Sequence, residues 1–274
     1  MEILINELSL SGQFDSIDHF IKSGLQPFIK TLNDINFQVN SLYKKYDFYS
    51  AKITLQHSVH DILIGEISRQ YDEIRKFKLQ FGKLFNRPYW EDETKHSANS
   101  VYLFNGKNIC GFSLAEACER DKIVISFKHD DFISIQLFIS KDDEEIKLDN
   151  LFEYGHYTQI AYQRNLITFE EYCHKMFLKS KLNFSKIEAK HGFSLIEEDD
   201  EKLFYKGLKK FSELSWTQIS DDNGLYYKEY KGGFKNINEK IYEFRFSEKY
   251  RCFGYKKDDN FFVLRFELEH KLGN

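Results

Sequence analysis

The strongest constraint on this chain lies near its end, where three aromatic-rich runs follow one another between Ile241 and Leu268. In Ile241-Tyr-Glu-Phe-Arg-Phe246 the apolar positions Tyr242, Phe244 and Phe246 alternate with Glu243 and Arg245. Successive side chains of a strand point to opposite faces, so the pattern predicts a strand with one buried face and with Glu243 and Arg245 on the other. Phe261–Leu268 predicts a second strand with Phe262, Leu264, Phe266 and Leu268 on its core face. Between them lies Tyr250-Arg-Cys-Phe-Gly-Tyr255, joined to the last run by Lys256-Lys-Asp-Asp-Asn260, which has the composition of a hairpin loop. Upstream, the spacing predicts a helix over Leu203–Leu214, a polar turn at Asp221–Gly224, a strand over Leu225–Tyr230 and a glycine turn at Lys231–Gly233. A helix followed by short strands with short connections folds as an antiparallel sheet covered on one face.

The rest of the chain mixes both periodicities. Ile3, Ile5, Leu8 and Leu10 predict a first strand within residues 1–10. Apolar residues at helical spacing then run from Phe14 to Leu42, with Gly24 and Pro27 expected to divide the helix. A second helical pattern covers Ile62–Phe81 with its arginines and lysines turned to water. From Ser100 short β-like runs appear at Val101–Phe104, Lys122–Phe127 and Phe132–Ile139, with a short helix at Ser113–Cys118. The acidic run Lys141–Glu145 reads as a hairpin end, and Thr168-Phe-Glu-Glu as the capped start of a helix over Ile167–Leu178. The polar segment Lys179–Asp200 marks the expected boundary between a mixed α/β domain, 1–190, and a small α+β domain, 200–274; the chain as a whole is α+β.

Net charge is −4, but it is unevenly spread. Residues 201–274 hold 15 lysines and arginines against 12 acids, a net of +3, which leaves −7 for residues 1–200. Phosphate binding depends on local positive potential, so the C-terminal region keeps nucleic acid open as a partner. The same excess also describes an ordinary solvated surface. No basic leader or apolar run of membrane-spanning length is present, which predicts a cytoplasmic protein without a membrane partner. The four cysteines, at 110, 118, 173 and 252, match neither a zinc-ligand spacing nor a disulfide framework, and the expectation is no metal and no cofactor. His57 and His60 read as surface or capping residues. Tyr154-Gly-His-Tyr157 reads as packing, and Asn86-Arg-Pro-Tyr-Trp-Glu-Asp92 as an exposed aromatic turn suited to a partner. Walker A, dinucleotide-binding, G-x-S-x-G and H-E-x-x-H motifs are all missing from the sequence.

Within the last 70 or so residues, Tyr242-Glu-Phe-Arg245, Tyr250-Arg251 and Phe262-Val-Leu through His270-Lys271 carry a resemblance. They are similar to the "Trp/Tyr-Glu-Leu-Arg", "Tyr-Arg" and strand-plus-lysine elements of the RelE/HigB/ParE toxin superfamily. The chain departs from that pattern where Glu267-Leu-Glu-His-Lys271 replaces a helix-bound lysine pair, and where the first strand and helical hairpin are compressed into Phe193–Leu214. The resemblance implies a metal-independent endoribonuclease of mRNA-interferase type in a toxin–antitoxin or antiphage defence setting. It implies Arg245, Arg251, Tyr255, His270 and Lys271 as catalytic candidates. The two arginines would supply phosphate ligands, Tyr255 a base-stacking or 2′-hydroxyl-orienting ring, and His270 the proton carrier, with Lys271 adding positive field. Lys228, Lys231, Lys256 and Lys257 are candidates for holding the RNA backbone. Glu243 is expected to orient an arginine. The partners implied are RNA, ribosome-bound mRNA included, and a protein partner or inhibitor reached through the N-terminal region. Because ParE-like members act on protein targets, the alternative is a noncatalytic RNA- or protein-binding subunit of a bacterial defence complex.

Overall fold

The computed structural model describes residues 1–35, 40–64, 71–82, 88–232, 234 and 237–268, and its contacts divide the chain into two compact units, Met1–Ile160 and Ala161–Asn274. The fold class is α+β, with mixed sheets and helices in both units.

The first unit is built on a seven-stranded sheet of β1 (Glu2–Asn6), β2 (Ser41–Tyr43), β3 (Tyr102–Phe104), β4 (Lys107–Asn108), β5 (Ile123–Ser126), β6 (Gln136–Lys141) and β7 (Glu144–Leu151). Its order is β2-β1-β5-β7-β6-β3-β4. The first four in that order run parallel and the remainder pair antiparallel. Ile3, Leu4 and Ile5 in β1 and Ile123, Val124 and Ile125 in β5 are all buried, as central parallel strands covered on both faces require. After β1 the helical stretch runs through Ile17–His19, a π-helical turn at Phe20–Leu25, and Gln26–Asp34. The chain stays helical through Gly24 and Pro27, and what changes between them is the helix type, from the π-helical turn to the α-helix. A Cβ on Gly24 would lie 2.6 Å from the Phe14 ring, so glycine serves close packing, and Pro27 falls in the first turn of the last segment, where its missing N–H is not needed. Leu42 belongs to β2 rather than to this helix. The predicted hairpin at Lys141–Glu145 forms with Asp142 and Asp143 both at positive φ, 48° and 71°, as a tight two-residue turn demands. Ser113–Cys118 is helical over its predicted length. Trp90 is buried, its Nε1 donating to Ser113 Oγ at 3.0 Å, so the turn around it presents no exposed tryptophan.

The second unit holds a five-stranded sheet of β8 (Leu182–Asn183), β9 (Lys228–Glu229), β10 (Ile241–Arg245), β11 (Arg251–Lys257) and β12 (Asn260–Glu267), ordered β8-β12-β11-β10-β9. The β8–β12 pairing is parallel and the others are antiparallel. The Glu198–Glu213 helix packs Phe204, Leu208 and Phe211 on one face of the sheet, where Phe211 stacks on Phe244 at 4.4 Å. It begins earlier than its apolar spacing predicts, because the acidic run supplies its first turn. Glu198, Asp199, Asp200 and Glu201 complement the unpaired N–H groups and positive end of the helix.

The Phe169–Met176 helix has the predicted cap, Thr168 Oγ1 accepting from Glu171 N and Glu171 Oε2 accepting from Thr168 N. Its Phe169, Tyr172 and Cys173 join the core of the second unit. The division therefore falls at Ile160/Ala161 rather than in the polar segment near 180–200: the apolar face of that helix packs with the C-terminal sheet and its covering helix, and the polar residues only cover the surface. Among the described residues no helix is long and apolar enough to cross a membrane.

One register change sets the two faces of this sheet. Phe253 lies opposite Arg265 and Gly254 opposite Val263, so Leu264 is an extra residue in β12. Phe261, Val263 and Phe266 consequently face the helix, while Phe262 and Leu264 turn to the other face with Tyr255. The single core face predicted from Phe262, Leu264, Phe266 and Leu268 is thus split by the bulge. Gly254 permits it, since a Cβ there would sit 2.3 Å from the Phe262 carbonyl oxygen.

Candidate functional site

The face of the second sheet away from the helix carries a compact lattice of charge. Across β10, β11 and β12, Arg245 lies opposite Arg251 and Arg251 opposite Glu267. In the neighbouring row Lys228 lies opposite Glu243, Glu243 opposite Phe253, and Phe253 opposite Arg265. Glu243, Arg251 and Glu267 are buried. Glu243 Oε1 is 3.2 Å from Lys228 Nζ and 3.8 Å from Arg251 Nε, so of the two arginines considered for it, it pairs with Arg251. Arg265 Nη2 is 3.5 Å from Glu267 Oε2. Four cations against two carboxylates leave this patch positive.

Arg245 is held differently from Arg251. Its guanidinium lies 4.2 Å over the Tyr226 ring, a cation–π contact, and it pairs with no carboxylate among the described residues. Tyr226 itself is 47% exposed and adopts a left-handed backbone, φ 48°, at a cost of about 1–2 kcal/mol for a residue with a Cβ. Asp222 O accepts from Tyr226 N, and Leu225 O accepts from Arg245 N, so the strained turn is tied to the end of β10. The Nε donors of Arg245 and Arg265 are buried with no acceptor among the described residues. Buried donors without partners are costly, and each of these two, on β10 and β12 with β11 between them, could be satisfied by an accepting group of its own.

His191 completes the patch. The Ala189–His191 turn is fastened to β12 where Glu188 N donates to Leu264 O, the bulged residue. Arg265 Nη2 lies 3.2 Å from His191 Nδ1. Guanidinium has no lone pair to offer, so Nδ1 must accept and the proton of the neutral ring sits on Nε2. Burial, with Arg265 beside it, holds the imidazole below its ordinary pKa and favours this neutral form. A recess of about 220 Å³ lies here between Lys190, His191, Leu195, Arg265, Glu267 and Leu268. His191 lies in a polar stretch without periodicity, so its sequence carries no signal of a site. Only its juxtaposition with Arg265, 74 residues away, gives it a role.

The other candidates divide. The structure brings together Arg245, Arg251 and Lys228. Tyr255 is buried, its ring stacked on Phe262 at 5.0 Å, so it belongs to the apolar cluster with Ile241, Phe253 and Leu264. Tyr226 is the exposed ring beside the arginines instead. Lys256 points to the helix side, its ammonium 4.1 Å over the Trp216 ring, and Lys257 lies at the far end of β11 from Arg251. Lys231 is exposed beyond β9. His270 and Lys271 lie outside the described residues. No group of three or more His, Cys, Asp or Glu is placed to hold a metal ion among the described residues. Comparison of the chain with known protein families, with curated proteins and with solved structures finds no match.

Proposed function

We propose that the second unit binds the phosphate backbone of RNA on this arginine face and cleaves it without a metal ion. The observation that carries the reading is the contact of Arg265 Nη2 with His191 Nδ1, on a face where the Nε donors of Arg265 and Arg245 are buried with no acceptor among the described residues. A phosphate beside Arg265 draws its guanidinium and releases His191 Nδ1. That nitrogen takes the proton of the adjacent 2′-hydroxyl, O2′ bonds to phosphorus, and the P–O5′ bond breaks. The leaving oxygen takes a proton from water, giving a 2′,3′-cyclic phosphate and a 5′-hydroxyl end. The guanidinium groups meet the charge that accumulates on the phosphorane oxygens, and Tyr226 offers a face for a neighbouring base. Arg251, between Glu243 and Glu267, positions the lattice. A toxin or antiphage setting rests on the RelE/HigB/ParE resemblance alone.

Incubation of the full chain with mRNA in EDTA, with and without ribosomes, tests the reading. Cleavage with cyclic-phosphate ends is expected, and His191→Ala should slow it by roughly 10²–10⁴-fold, the usual contribution of a positioned acid or base. RNA that stays intact under both conditions overturns catalysis. A second reading, a noncatalytic RNA- or protein-binding subunit, is favoured by the burial of Arg251 and Tyr255, which reads as architecture rather than machinery. Retention of intact RNA, lost in Arg245→Ala/Arg265→Ala, would select it.

A further inference from the structure

The first unit has a separate opening of a different chemical kind. In the order β2-β1-β5-β7 the chain leaves β1 to form β2 on one side and later returns to form β5 on the other. The strand order thus reverses beside β1, and in open parallel sheets the crevice outside the carboxyl ends of strands at such a point is the usual place for a ligand. Here that crevice holds two adjoining recesses of about 340 Å³ and 360 Å³. Leu8, Ser11 and Phe112 line both, so they form one groove. Glu7, directly after β1, lines the first half with Lys45, Asp47 and Lys52.

Glu7 is only 7% exposed. Its Oε1 accepts from Ser113 N at 2.9 Å, while Oε2 is buried and accepts from no described residue. The neighbouring strand ends repeat the pattern. Asn6 donates through Nδ2 to Ser126 Oγ, and Asn150 donates to the carbonyls of Phe132 and Ser134, yet Oδ1 of each has no partner among the described residues. Most buried polar atoms are hydrogen-bonded, so an acceptor left over at the wall of a groove points to a donor-bearing occupant. Glu7 is the one that lines the groove. Above it the walls change character: Phe112 supplies a flat apolar surface, Lys45 Nζ lies 5.0 Å over that ring and 3.1 Å from Asp47, and Lys52 is exposed at the rim.

We propose that this groove binds a nucleoside monophosphate, its base donating an N–H to Glu7 Oε2 and lying along Phe112, its phosphate meeting Lys45 and Lys52. Each feature selects a part of the ligand. The orphan carboxyl oxygen calls for a hydrogen-bonding partner, the ring beside it favours a planar one, and Lys52 at the rim, with Lys45 shared between Phe112 and Asp47, offers positive charge to an anion. The two recesses are of ordinary ligand size. The site is independent of the arginine face of the second unit, so either reading can fail alone.

Titration calorimetry of the full chain with AMP, GMP, CMP and UMP, and with inorganic phosphate and the free nucleosides as separate arms, tests it. Saturable binding of at least one nucleotide is expected, weakened about tenfold or more in Glu7→Gln, which keeps the shape of the side chain but replaces the accepting oxygen with an amide. Ser11→Trp, an exposed rim substitution reaching both halves of the groove, should abolish binding without unfolding the protein. Absence of binding by all four nucleotides overturns the proposal. Equal binding of inorganic phosphate, or of the free nucleoside, does so as well, since either removes the need for one half of the site. Unchanged affinity in both Glu7→Gln and Ser11→Trp would place any bound nucleotide elsewhere and overturn it too.

Discussion

Each unit buries a carboxylate at the edge of a candidate site, and the two are treated in opposite ways. Glu243 stands between Lys228 and Arg251, so its charge is answered from two sides. Glu7 accepts from Ser113 and pairs with no cation among the described residues, and burial raises its pKa despite its hydrogen bonds and the weaker pull of Lys45. A buried charge is tolerated where it is paired and costly where it is not. The first arrangement holds a lattice in place and sets the direction of its arginines. The second leaves an unmet demand that a ligand can meet. Buried acids therefore mark architecture in one sheet and an expected binding site in the other, and the same substitution should have opposite signs at the two positions.

Glu243→Gln gives the largest effect. It keeps the volume but leaves buried Arg251 and its neighbour Lys228 without this counter-charge, and removal of one member of a buried pair costs several kcal/mol. Glu267 still stands across from Arg251, so a loss of about 3 kcal/mol, the low end of that range, is expected. It would be read as a lowered denaturant midpoint at unchanged slope. A midpoint equal to that of the parent chain would break the comparison, because Glu243 would then hold nothing.

Tyr226→Ala comes next and separates binding from stability. Its ring is exposed and its backbone strained, so little folding energy should be lost, while a base stacked on it would lose about 1–3 kcal/mol. Fluorescence anisotropy with a single-stranded RNA reads the affinity and thermal unfolding reads the fold. Equal RNA affinity in the variant would remove Tyr226 from the interface. Tyr255→Phe, by contrast, should change RNA affinity little, since that ring is committed to Phe262.

The strands of the second sheet were legible because period-two alternation survives in a short sequence: Phe244 faces the helix and Glu243 and Arg245 face away, as their spacing predicts. What the spacing could not carry was the bulge at Leu264, which depends on how close one backbone comes to another at Gly254. Nor could it carry the proposed base, because His191 meets Arg265 through a turn fastened to β12. The groove beside Glu7 was illegible for a related reason. Glu7 reads as one acid in a short polar stretch, and its isolation appears only once β1, the Ser113–Cys118 helix and the Lys45–Lys52 segment are folded around it.

Glu7→Gln should produce the smallest change in stability, and in the opposite direction to Glu243→Gln. Because the folded pKa of Glu7 is raised, the protonated form is favoured in the native state relative to the unfolded chain. The stability it contributes is fully present below the ordinary carboxyl value of 4.5 and is lost as pH rises through the folded pKa. Glutamine cannot ionise and removes that loss. The variant and parent should therefore unfold at nearly the same temperature near about pH 4, and the variant should unfold a few degrees higher near about pH 7.5. A variant less stable than the parent at the higher pH would show that the Glu7 carboxylate is favourably held in the empty groove. The contrast with Glu243 would then disappear, and with it the reason to expect a donor-bearing ligand at the end of β1.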